Sequence, residues 1–195
     1  MSNLDAMTTE ENGIQRLYPQ RRYPRLKGYN YASVGAYFVT ICTQYKVCLF
    51  GHIEGATMKL NSLGEAVALV WRQIPVHYPE ADNEVFVVMP NHVHGIIEIR
   101  ETERSGLRPD PTKACALPEI IRAFKTYSSR KINELRKSTG MPVWQRSYYE
   151  HVIRDEADYG RVGEYILSNP VKWATDRENP SVGQIPNQGV VGSGF

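Results

Sequence analysis

The chain has 195 residues, 42% of them apolar and 23% charged, a balance that suits one globular domain and excludes disordered and fibrous classes. Its 15 Gly and 12 Pro gather toward the termini without a period, which excludes collagen-like and tandem-repeat architectures. A net charge of +2 says little as a total, so the placement of charge along the chain has to carry the argument.

In chain order, residues 1–20 read as a flexible basic and aromatic arm, 21–177 as a single domain, and 178–195 as a flexible tail rich in Gly, Pro, Gln and Asn. Residues 37–42 (YFVTIC) are β-branched and aromatic and follow Gly35, which predicts a buried strand. From 62 to about 77, Leu63, Ala66, Val67, Val70 and Ile74 recur at three- and four-residue steps, and Ser62 with Glu65 makes a capping box, so an amphipathic helix is expected. Residues 84–89 (EVFVVM) and 92–99 (HVHGIIEI) read as a hairpin turned by Pro90-Asn91, and 100–116 as a loop.

A helix over 117–136 follows from Leu117, Ile120, Ile121, Phe124, Ile132 and Leu135, which fall within an arc of about 120° at about 100° per residue. Residues 143–153 have strand composition. A last helix, capped by Asp155 or Asp158, should stop at Asn169 because Pro170 disfavours helical backbone in the residue before it. This order of elements implies an α/β (α+β) fold, a largely antiparallel sheet with helices against one face.

No apolar run approaches the roughly 20 residues of a membrane helix, and the N-terminus has no apolar signal core, so a cytoplasmic protein with no membrane partner is expected. Cys42, Cys48 and Cys115 are odd in number and lack CxxC spacing, which favours reduced thiols, two of them in core segments.

Between Lys113 and Arg146, eight Lys and Arg oppose only Glu119 and Glu134, so that segment carries +6. Arg122, Lys125, Arg130, Arg136 and Lys137 fall opposite the apolar arc and suit a phosphate backbone, with Arg146 beyond them. A second cluster, with Arg16, Arg21, Arg22, Arg25 and Lys27, is interleaved with Tyr18, Tyr23, Tyr29 and Tyr31. Trp144, Tyr148 and Tyr149 are candidates for stacking on bases. Either basic cluster alone fits a solvated surface equally well.

His92 and His94 are two apart on a strand, so both imidazoles share a face and can meet at one ion. Two ligands do not hold a divalent ion, and such a pair also fits two ordinary strand histidines. Glu98 shares their face if the alternation holds, while His52, His77 and His151 lack a partner at ligand spacing. Tyr165 and Asn169 lie four apart on the last helix and reach the same point from the flank of its apolar stripe, although packing and helix termination explain them as well.

MPNHVHGIIEI together with the distant EYILSNPVKW resembles the REP-associated tyrosine transposases, single-tyrosine HUH transposases, and the likeness extends through YFVTICT, LFGHI and WQRSYYEHVIRDEADY over roughly residues 20–175. The resemblance implies a ferredoxin-like sandwich, with His92 and His94 as the pair binding Mg or Mn, Tyr165 as the catalytic tyrosine and Asn169 completing the metal site. It implies an endonuclease and strand transferase that acts on single-stranded DNA or a DNA hairpin of repetitive palindromic elements through a 5′-phosphotyrosine. Monomer and homodimer both remain open. Two rivals stand beside it: a non-catalytic hairpin-binding protein derived from a transposase, and a metal-dependent phosphohydrolase in which Tyr165 only packs.

Overall fold

The structure, a computed structural model, describes residues 34–101 and 116–182. The N-terminal arm with Arg21, Arg22, Arg25 and Lys27, most of the 100–116 loop including Cys115, and the tail from 183 lie outside the described residues.

The elements run β1 (Gly35–Cys42), β2 (Gly51–Glu54), β3 (Thr57–Leu60), α1 (Ser62–Arg72), α2 (Ile74–His77), β4 (Ala81–Asp82) and β5 (Phe86–Val88). There follow β6 (His92–Ile99), α3 (Leu117–Leu135), β7 (Tyr149–Ile153), α4 (Glu156–Lys172) and a 3₁₀ turn over Trp173–Thr175. The main sheet has the order β4-β6-β1-β7, with β5 also on β6, and every pairing is antiparallel. With α1 and α3 as its crossovers this is the expected ferredoxin-like sandwich, to which α4 is added.

The period of two divides each central strand between two cores. Tyr37, Val39 and Ile41 of β1 join Val93 and Ile97 of β6 under Val67, Ala68 and Trp71 of α1 and Ile120, Ile121 and Phe124 of α3. Phe38 and Ile96 point the other way and pack with Ile166 of α4. The expectation of helices on one face is therefore corrected: α4 has its own apolar stripe, Tyr159, Val162 and Ile166, and covers the second face. Gly95 lets α1 approach β6, because a Cβ there would lie 2.3 Å from Cζ2 of Trp71.

Other boundaries also move. Asn61 caps α1, its side chain accepting from the amides of Leu63 and Gly64, so the Ser62–Glu65 box is not the cap. The helix expected to reach 77 breaks after Arg72, since Pro75 has no N–H to donate to the Trp71 carbonyl. Strand pairing over 143–153 begins only at Tyr149, preceded by a single bridge between Thr43 and Trp144. The β2–β3 hairpin was not expected; it turns on Gly55 and Ala56, both at positive φ, a combination without a strong sequence signal. α4 does not end at Asn169 but carries Pro170 within its last turn, where losing one N–H costs little. Glu178 and Asn179, assigned to the tail, are buried. No helix among the described residues is long and apolar enough to cross a membrane.

Candidate metal centre

His92 and His94 lie on the face of β6 that α4 covers, both fully buried, with ring centroids 4.3 Å apart. Register explains how they are held. Thr40 of β1 sits opposite His94, and its Oγ1 is 2.8 Å from His94 Nδ1. His92 Nδ1 is 2.8 Å from Oδ1 of Asn91. Both rings are thus gripped at Nδ1 and offer Nε2 to the site. Burial pushes the His92 imidazole down to about 4, and burial followed by the neighbouring His92 holds His94 well below its ordinary value. Both are neutral at pH 7, the state in which imidazole ligates metal.

α4 brings the other two expected residues to the same place. The Tyr165 hydroxyl is 3.4 Å from His94 Nε2, and its ring meets Phe38 edge-on. Tyr165 remains 41% exposed, so the residue is accessible from solvent. Burial, then the field of Asp176, raises its pKa, while Arg177 opposes the rise. Asn169, one turn on, is buried.

A further candidate ligand lies outside the residues that the sequence pattern singles out. Asp176, just past the 3₁₀ turn, offers a carboxylate oxygen that lies with one nitrogen of each histidine inside a group whose atoms are all within 4.8 Å of one another. The expected candidate Glu98 does share the histidine face, yet it accepts from the Tyr159 hydroxyl at 2.7 Å and pairs with Arg100. His92 Nε2 and Asn169 Oδ1 are buried, and neither makes a hydrogen bond of ordinary geometry. Leaving such an atom unsatisfied costs about 1–3 kcal/mol, and a divalent cation would satisfy both. Two imidazole nitrogens, an amide oxygen and a carboxylate oxygen suit Mn or Mg, so the donor set fits the metal that the sequence implies.

The expected nucleic-acid contacts divide. Trp144 is 7% exposed, with Nε1 donating to Ser128 Oγ in the core, so it is not free to stack on bases. Tyr148 packs against the same core, beneath Lys125, and Tyr149 lies edge-on to Phe38. Lys125, expected opposite the apolar arc, lies at its margin instead and donates to the carbonyls of Gln145, Arg146 and Ser147. Burial lowers its pKa to about 8. Arg122, Arg130 and Arg146 are exposed, but α3 covers the sheet face opposite the histidines. Near the centre the cations are Lys46, 2.9 Å from Glu178, and Arg177, and sequence patterning singled out neither.

Of the other histidines, His77 stacks on Tyr127 and His151 pairs with Asp158 at 2.9 Å. Cys48 is exposed and Cys42 half-buried, and neither is in a disulfide.

The fold and site thus define an α/β protein with a candidate divalent-metal centre beside an accessible tyrosine. No protein-family model matches the chain. It is 45% identical over 185 residues to an uncharacterized protein of Haemophilus influenzae strain Rd, an alignment covering 88% of this chain and 98% of that protein. A second protein of that organism, provisionally named a REP-associated tyrosine transposase, is 24% identical over 144 residues, covering 73% of this chain and 74% of the relative. A solved structure of a REP-associated tyrosine transposase bound to a REP hairpin matches the fold with a TM-score of 0.53 at 20% identity, over 76% of this chain and 74% of that one. In sequence and in fold the chain is thus similar to the REP-associated tyrosine transposases.

Proposed function

We propose that this protein is a metal-dependent endonuclease and strand transferase acting on single-stranded DNA beside a hairpin, with Tyr165 as nucleophile and His92, His94, Asn169 and Asp176 as the metal-holding set. The observation that carries the reading is the convergence of two neutral imidazoles, an orphaned amide oxygen and a carboxylate next to a half-exposed phenol. A phosphodiester repels nucleophiles through its anionic oxygens, and a bound divalent ion supplies the charge that offsets this at the scissile phosphate.

Tyr165 Oη attacks phosphorus in line, its proton leaving to water, as the P–O3′ bond breaks and the 3′-oxygen is protonated. The product is a 5′-phosphotyrosine and a free 3′-OH. The reverse attack by another 3′-OH rejoins DNA without a nucleotide cofactor, because the phosphodiester energy is conserved. The charge of Arg177, which also pairs with Glu178, favours the phenolate. A hairpin-bound relative of the same fold supports the hairpin substrate.

The test is incubation with labelled hairpin DNA and Mn. A covalent protein–DNA adduct that disappears in Tyr165→Phe is expected. Hairpin binding with no adduct in any metal favours the non-catalytic binder instead. The Asp176 carboxylate favours one more reading, since two histidines and one carboxylate also suit a water-activating phosphohydrolase. That reading requires cleavage by Tyr165→Phe with no protein attached to DNA.

A further inference from the structure

Asn91, on the turn into β6, is buried, and its side-chain amide joins three separate segments. Nδ2 donates to the backbone carbonyls of Lys46 at 3.0 Å and Glu178 at 2.7 Å. Backbone carbonyls only accept, so these partners identify the nitrogen end of the amide and leave Oδ1, an acceptor, against His92 Nδ1. His92 must then carry its proton on Nδ1 and direct a bare Nε2 lone pair into the site beside the Asn169 amide, where no group among the described residues donates to it with ordinary geometry. The Glu178 carbonyl gripped by Asn91 belongs to a tight turn in which the Glu178 N–H donates to Asp176 Oδ1 at 2.7 Å. One amide therefore controls the lone pair of one ligand and the placement of another.

We infer that Asn91 is a positioning residue of the metal centre, setting the His92 tautomer and anchoring the turn that carries Asp176. The inference rests on the metal reading above. It gives Pro90-Asn91 a role beyond turn chemistry, because a side chain selected only to turn the hairpin has no reason to bind Lys46 and Glu178.

The experiment reads the ring nitrogens of His92 by long-range proton–nitrogen correlation in metal-free, ¹⁵N-labelled protein at neutral pH, alongside Mn titration followed by electron paramagnetic resonance. In the wild type, Nδ1 should be protonated and Nε2 bare. Asn91→Ala should shift the proton toward Nε2 and weaken Mn binding about 10- to 100-fold. Asn91→Asp keeps the acceptor and loses both donors, so it should retain the tautomer and still weaken Mn binding. A wild-type proton on Nε2 overturns the inference, as does a folded Asn91→Ala protein with unchanged tautomer and Mn affinity. Undiminished Mn binding by Asn91→Asp removes the anchoring half. If Asn91→Ala does not fold, the wild-type tautomer and the Asp variant decide. The Nδ1–H tautomer in a wild type that forms no DNA adduct supports this inference and counts against the nuclease, so the two failures are separable.

Discussion

The Tyr165 hydroxyl lies 3.4 Å from His94 Nε2 although 71 residues separate the two in the chain. The contact exists because β6 turns its even-numbered side chains toward the face that α4 covers, and Tyr165 sits on the flank of α4 beside Ile166, its buried anchor. A phenol in that position is oriented by its ring contacts with Phe38 and His94 while the residue stays partly exposed.

Replacing Tyr165 by Phe should abolish the covalent DNA adduct while leaving Mn affinity unchanged. Stability should change by less than about 0.5 kcal/mol, because Tyr165 is half-exposed and its hydroxyl's contact with His94 is long. Gel analysis of the adduct and urea unfolding check the two halves.

Asp176→Asn should weaken Mn binding at least about tenfold, equivalent to ~1.4 kcal/mol, by removing the only charged member of the ligand group. Chelation by EDTA should stop cleavage and leave hairpin binding in place. Unchanged Mn affinity in the variant would remove Asp176 from the site.

Trp144 and Arg130 should separate stability from DNA contact. Trp144→Ala should destabilise the fold by about 3–5 kcal/mol in urea unfolding, since the indole fills the core against Phe50 and Phe124. Arg130→Ala, at an exposed position, should leave unfolding unchanged. If α3 does contact phosphates, it should lower the salt dependence of DNA binding by about one unit of slope. An unaltered slope would assign DNA binding to the histidine face alone.

Gly95→Ala should cost about 1–3 kcal/mol by driving α1 away from β6, and with it the backbone that carries His94. Thermal unfolding combined with Mn titration shows whether the loss spreads to the metal centre. A variant as stable as the wild type would mean that Trp71 moves aside freely.

Much of this protein is legible from near neighbours along the chain. The alternation in 92–99 orients the histidines, the period of 3.6 in 117–135 makes an amphipathic helix, and the four-residue step from Tyr165 to Asn169 puts both side chains on one flank of α4. Where local signals compete, sequence reading slipped: Asn61 outbids Ser62 as a cap, Pro75 breaks a helix, and Pro170 does not.

What only the tertiary structure decided is which residues far apart in the chain meet. Lys125 and Trp144 read as surface chemistry until the 143–147 segment folds over α3, where its carbonyls accept from Lys125 and Ser128 of α3 accepts from Trp144. Asp176 has no periodic partner in the sequence. It lies with the histidines in a turn whose Glu178 carbonyl accepts from Asn91. Helix and strand periods follow from backbone geometry repeated over a few residues, whereas a metal centre requires side chains to converge from separate elements, and that convergence follows from packing the whole sheet between its two helical layers.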